Sequence, residues 1–210
     1  MHILIIDTAS KHFSLSLIDI LSGNSVASYL EKDDENSHAR KINLTIKNLL
    51  LSRKLNMSTL KAIALNEGPG SFTGLRVGSS TAKGLCFALD IPLISICGLV
   101  AYGRYLYSKK DLDIQDVFVL MDARRGNYFY SEINDLNQES IAQFNHITEI
   151  ETRIYLSRKP WIYYLEKEYE MKLSAENLTD EVLKKWLNKE FVDIRIFEPK
   201  YIVNNYLTKK

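Results

Sequence analysis

"ILIIDTASKHFSLSLI" at residues 3–18 is echoed 115 positions later by "FVLMDARRGNYFYSEI" at residues 118–133. Each stretch opens with an apolar run closed by an aspartate, Asp7 or Asp122, which is the signal of a buried strand. Each then crosses a short polar turn into a second strand. In the first copy Phe13, Leu15 and Leu17 alternate with serines, as a half-buried strand requires. The common offset carries Phe13 onto Tyr128 and Ile18 onto Ile133, and most apolar positions stay in register. The repeat reads as a duplicated strand–turn–strand unit. Two unrelated hairpins of similar length would align comparably, so the repeat alone leaves that alternative open.

Beyond the first copy, Val26 to Leu30 is a third strand. Ser37 is an N-cap for a helix to about residue 52, with Ile42, Ile46, Leu49 and Leu50 as its apolar stripe. Ala62 to Leu65 is a strand, followed by a glycine-rich loop and a helix to about Leu89. Pro92 to Ile96 is another strand, and Val100 to Tyr107 a helix. After the second hairpin come a helix from Thr148, a strand at Trp161–Leu165 and a helix from Thr179 to about Lys189. A repeated βββαβα unit with Asp closing each first strand points to an α/β, duplicated actin-like (ribonuclease H-like) fold. The expected division is an N-terminal subdomain at 1–108 and a reduced C-terminal one at 109–210. Active members of that architecture hold ATP between the halves, with strand-tip acids and a glycine turn around metal and phosphates. Asp7 and Asp122 stand at those tips, but an Asp after a strand also starts a turn through its own side chain.

Bulk properties exclude several classes. The 210 residues are 46% hydrophobic, ample for a core, and Lys+Arg 27 against Asp+Glu 26 leaves a net charge of +1. A protein that grips nucleic acid unaided carries a clear basic excess, so only weak or shared RNA contact is expected. Cys86 and Cys97 lie in apolar surroundings without a CxxC pair, the pattern of a reduced, cytosolic protein. Residues 1–7 enter a strand directly, without the charged and long apolar regions of a secretion signal.

Five of the nine glycines fall in "NEGPGSFTGLRVGSSTAKGL", residues 66–85. The stretch is neither G-x-x-x-x-G-K-[ST] nor G-x-G-x-x-G. It still lies between a strand and a helix N-terminus, where amide groups and the helix dipole favour an anion. Gly68, Gly70, Ser71 and Thr73 therefore form, with Asp7 and Asp122, a degenerate nucleotide-type site. A plain strand-to-helix turn capped by Ser71 or Thr73 is the alternative. Gly74, Gly78 and Ala82 share one helix face. A mid-helix glycine costs roughly 1 kcal/mol against alanine, so another backbone is expected to approach there, from this chain or from another.

"ILIIDTAS", "SHARKINLTIKNLL", the string from Gly68 to Gly78, "IPLISICGL" and "LMDARRGNYFYSEI" resemble the TsaB (YeaZ) family over roughly residues 1–135. Pro199 and Tyr201 resemble the family's ending more loosely. The resemblance implies a cytoplasmic, actin-like protein of threonylcarbamoyladenosine (t6A) biosynthesis, the modification next to the anticodon in tRNAs reading codons that begin with A. It implies a non-catalytic partner of the transferase TsaD, joined by the ATPase TsaE, a homodimer when alone, meeting tRNA only through the complex. The helices carrying His38, Ile42, Ile46, Gly74, Gly78 and Ala82 are the implied partner interface. No catalytic residue, metal or cofactor of its own is expected.

The residues bear on this independently. Proteins of the TsaD type carry His-x-x-x-His on the helix after the third strand; here Ile42 stands four residues after His38. His2, His12 and His146 are scattered, and no H-E-x-x-H or G-x-S-x-G occurs. The alternative is an ATPase or kinase of the actin-like class acting in its own cleft. Against it, the first turn, "DTASKHF", has no glycine, and the second keeps only Gly126. For Arg124 and Arg125 a solvated turn and an RNA contact both remain open.

Overall fold

The computed structural model describes residues 1–31, 38–111, 113–157, 159–165 and 173–201. Its first sheet contains β1 (His2–Asp7), β2 (Ser14–Asp19), β3 (Ser25–Leu30), β4 (Leu60–Asn66) and β5 (Leu93–Ile96) in the order β3-β2-β1-β4-β5. The second contains β6 (Asp116–Asp122), β7 (Asn127–Ile133), β8 (Gln143–His146) and β9 (Pro160–Tyr164) in the order β8-β7-β6-β9. In both, a central first strand pairs antiparallel with the next strand and parallel with a later one. The duplication is therefore real, and the chain has the duplicated actin-like α/β fold. β8 is the counterpart of β3, and its four residues show no alternation from which to read it.

Helices complete five layers. α1 (His38–Ser52) and α2 (Phe72–Leu89) cover the outer face of the first sheet. There Ile42, Ile46, Leu50, Ala82 and Cys86 pack on Leu4, Ile6, Leu15 and Leu17. α3 (Gly98–Lys109) and α5 (Thr179–Leu187) lie between the sheets, with Leu99, Tyr102, Leu106 and Val182 against Ile3, Ile5, Val117, Val119 and Met121. α4 (Ile147–Leu156) covers the far face, where Ile150 meets Phe118, Leu120 and Tyr130. Ser71 is the N-cap of α2, accepting the Gly74 N–H. The N-cap expected at Ser37 lies outside the described residues.

The packing corrects the phase of the repeat. In β1, residues 3 and 5 face the middle layer, and 4 and 6 face outward. In β6, residues 117, 119 and 121 face the middle layer, and 118 and 120 face outward. The first strands therefore superpose with an offset of 114, so Met121 matches Asp7 and Asp122 matches Thr8. The pairs Asp7–Ser14 and Met121–Phe129 are then equivalent, which returns the second strands to 115. The second turn is one residue longer. Because side chains alternate, a slip of one residue sends Asp122 to the opposite side from Asp7.

The chain's last described segment returns to the first sheet. Val192 bridges to Leu93, Lys83 Nζ donates to the Phe197 carbonyl at 3.1 Å, and the Lys200 amide donates to the Glu67 carbonyl at 2.8 Å. Tyr201 ends it on the Phe72 ring, with centroids 5.1 Å apart.

Candidate functional site

Asp7 closes β1 in a buried position, 4% exposed. Its Oδ1 accepts the Ala9 amide and Asn66 Nδ2, each at 2.9 Å. Its Oδ2 accepts the hydroxyl of Tyr102 from α3. Asn66, at the end of β4, uses its own Oδ1 to accept the Gly68 amide at 3.1 Å and the Gly98 amide at 2.9 Å. Gly98 opens α3, and a Cβ there would stand 2.1 Å from Asn66 Nδ2. The cluster thus ties β1, β4 and α3 together. Burial, and then the Asp7 charge, push the Tyr102 hydroxyl well above its ordinary value, so it stays a neutral donor.

The glycine loop sits directly on the first turn. The Ser71 amide donates to the Ala9 carbonyl at 2.6 Å. A Cβ on Gly70 would lie 2.3 Å from the Ala9 oxygen, and one on Gly74 would lie 2.0 Å from the Thr8 oxygen. One on Gly78 would meet Thr8 Oγ1 at 2.2 Å and Leu65 at 3.2 Å. Backbone meets backbone at Gly70 and Gly74, and the Thr8 side chain fills the space over Gly78. Glu67, just before the loop, accepts the Ser95 hydroxyl and pairs with Lys200 Nζ at 2.7 Å.

A cleft of about 790 Å³ opens beside this contact. Gly70, Ser71, Thr73 and Gly74 line one side, Asp122, Arg124 and Phe129 the other, and Lys11 its margin. Four of the expected nucleotide-type residues, Gly70, Ser71, Thr73 and Asp122, therefore come together. Asp7 and Gly68 do not line it. Asp122 is exposed and its Oδ1 accepts the Arg124 amide at 2.6 Å.

The expected partner face needs a correction. Gly74, Gly78 and Ala82 are buried within the chain, and its own first turn approaches Gly74 through the Thr8 carbonyl and Gly78 through the Thr8 side chain. Ile42 and Ile46 are buried under α1 in the sheet core. The side chain of His38 lies outside the described residues. The large apolar side chains that α1 and α2 expose include Leu44, Leu51 and Phe87, 60%, 57% and 81% exposed, besides Phe72, which packs on Tyr201. Gly84 lies on that outer face, where an added Cβ would meet nothing within 4 Å. The outer residues were legible: the stripe at 42, 46, 49 and 50 assigns the inner face, and Leu44 and Leu51 fall off it. Among the described residues, no helix is long and apolar enough to cross a membrane.

Residues 32–205 match the family model described as TsaD, tRNA N6-adenosine threonylcarbamoyltransferase. The chain is similar to two proteins described as tRNA threonylcarbamoyladenosine biosynthesis protein TsaB. The one from Haemophilus influenzae is 28% identical over 62% of this chain and 53% of that protein. The one from Escherichia coli is 29% identical over 63% and 54%. The chain thus spans about half the length of these curated relatives. A solved Pseudomonas aeruginosa protein, described as similar to peptidase YEAZ, superposes with a TM-score of 0.77 at 20% identity, covering 96% of this chain and 99% of that one.

Proposed function

The chain belongs to the family of that model, on its TsaB (YeaZ) side, and from this membership we propose that it is a non-catalytic partner subunit of TsaD in t6A modification of tRNA. The observation that carries the non-catalytic half is the closed first turn. Both carboxylate oxygens of Asp7 are engaged, by Ala9, Asn66 and Tyr102, and Gly70 and Gly74 press on the carbonyls of Ala9 and Thr8. A carboxylate so held is a structural group, which disfavours ATP chemistry in the chain's own cleft.

In this reading TsaD docks on the outer faces of α1 and α2, within an N-terminal partner-binding unit of residues 1–108. Exposed apolar patches mark interaction surfaces, and in this reading Leu44 and Leu51 on α1 and Phe87 on α2, all exposed, supply one. The same face pairs two copies when TsaD is absent. TsaE joins the pair, tRNA is met through the complex in the cytoplasm, and the chain needs no cofactor or metal of its own.

The test is Gly84→Arg, with Phe87→Glu as a second variant. Neither has a crowded site in the isolated chain, and leaving glycine favours the helix by up to ~1 kcal/mol. Both should melt near the parent temperature and fail to co-purify with TsaD. Retained TsaD binding by both would refute the face. ATP turnover by the isolated chain, abolished in Asp7→Ala at unchanged stability, would refute the non-catalytic reading.

A further inference from the structure

The turn between β6 and β7 carries three consecutive residues in the left-handed region: Arg124 at φ 71°, Arg125 at φ 55° and Gly126 at φ 76°. The Asn127 amide donates to the Arg124 carbonyl at 3.1 Å, which makes Arg125 and Gly126 the centre of a hairpin turn that requires positive φ at both positions. Glycine and asparagine take that backbone at little cost, whereas a side chain such as arginine crowds its own carbonyl. The chain nevertheless places arginine twice.

The backbone is held in this shape from several sides. Asp122 Oδ1 accepts the Arg124 amide, and Asn127 Nδ2 donates to the Arg124 and Arg125 carbonyls at 3.3 and 3.4 Å. The Ile147 amide donates to the Gly126 carbonyl at 2.8 Å. Strain that the surroundings over-determine in this way is a mark of a functional position. None of these bonds uses a guanidinium. Both arginines are exposed, and neither head group is paired with any described residue. Arg124 also lines the cleft whose margin holds Lys11.

We infer that Arg124 and Arg125 contact the phosphate backbone of the tRNA bound by the complex, an inference that rests on the proposed function. Guanidinium groups suit phosphate because their planar forks donate two hydrogen bonds to one anion. The chain's net charge of +1 supplies no general attraction to a polyanion. The contact therefore adds to TsaD's hold on the tRNA and does not capture it alone.

The experiment compares the TsaD complexes of the parent chain and of the double variant R124N/R125N. Unmodified tRNA transcript is titrated across a range of salt. Asparagine tolerates left-handed backbone, so the variant should melt at or above the parent temperature and pair with TsaD as before. Its tRNA affinity should fall about tenfold, and the slope of log K against log salt should flatten by about 1–2, since each lost phosphate contact removes roughly 0.7–0.9. Unchanged affinity and slope would overturn the inference while leaving the proposed function intact. Loss of TsaD pairing in the variant would overturn it too, by assigning the arginines to a protein contact. A parent chain that pairs with no TsaD fails the functional reading itself, and the inference with it.

Discussion

The turns after β1 and after β6 descend from the same repeat and have become opposites. Each begins with an aspartate whose Oδ1 accepts the amide two residues on, Ala9 at 2.9 Å and Arg124 at 2.6 Å. There the likeness ends. The start of the first turn, Thr8 and Ala9, is buried beneath the glycine loop, with Asp7 also holding Asn66 and Tyr102. The second is open, with Asp122 and both arginines exposed. A one-residue difference in phase accounts for this, because adjacent residues of a strand point to opposite faces. A pair of acids converging on one cleft is lost here, because Asp7 is covered and engaged away from the cleft that Asp122 lines.

The largest test of the contrast is Asp7→Ala. It strands the Ala9 amide, Asn66 Nδ2 and the Tyr102 hydroxyl in a buried site. At ~1–3 kcal/mol for each unsatisfied buried donor, partly offset by relaxation, a loss of about 3–5 kcal/mol is expected. A calorimetric melt reads it. A loss under about 1 kcal/mol would show that Asp7 is not a structural group and would restore it as a candidate ligand residue.

Next comes Gly74→Ala. The new Cβ would meet the Thr8 carbonyl oxygen at 2.0 Å, and that neighbour is backbone. The cost should reach or pass the top of the ~1–3 kcal/mol range for overpacking. Gly84→Ala on the same helix is the control and should gain up to ~1 kcal/mol. If the two variants melt alike, α2 does not press on the first turn.

Most of the fold was legible from periodicity, and the part that was not has one physical origin. β1 and β6 are buried on both faces, so their apolar runs are continuous and carry no phase. An offset of 115 and one of 114 match such runs about equally, and the aspartates then bias the choice toward the wrong one. The α2 face misled for a related reason. Gly74 and Gly78 do mark a close approach, by the Thr8 carbonyl and the Thr8 side chain, but small residues also recur outward at Ser80, Gly84 and Ala88. Periodicity reports that something comes near without saying which chain it belongs to. The polar cluster of Asp7, Asn66 and Tyr102 spans 95 residues of sequence and has no local signature.

Alkaline pH offers a weaker probe of the same contrast. Tyr102, buried against Asp7, is raised well above its ordinary value, and burial pushes the Cys86 thiol up to about 12. Both are acids whose neutral form the fold favours. The unfolded chain therefore loses these protons first, and stability, full below about pH 9, falls as pH rises through the ordinary thiol and phenol values. Denaturant midpoints measured at about pH 8, 10 and 11 should decline, and Tyr102→Phe should flatten the upper part of that decline. A parent chain as stable at about pH 11 as at pH 8 would contradict the buried, neutral hydroxyl on the first turn.

The smallest effect belongs to Asp122→Ala, and it calibrates the rest. The substitution removes the same local bond that Asp7 makes to its own turn, but from an exposed carboxylate with no second described partner. Water replaces the lost acceptor for the Arg124 amide, so nothing is left buried and unpaired. A change within about 0.5 kcal/mol is expected, as for other surface substitutions. Subtracting it from the Asp7→Ala loss isolates what Asn66, Tyr102 and burial add to one aspartate and withhold from the other. Should Asp122→Ala destabilise the chain as much as Asp7→Ala, the second carboxylate would have to be held as firmly as the first. The two turns would then differ in placement alone, and a structural role confined to the first would be refuted.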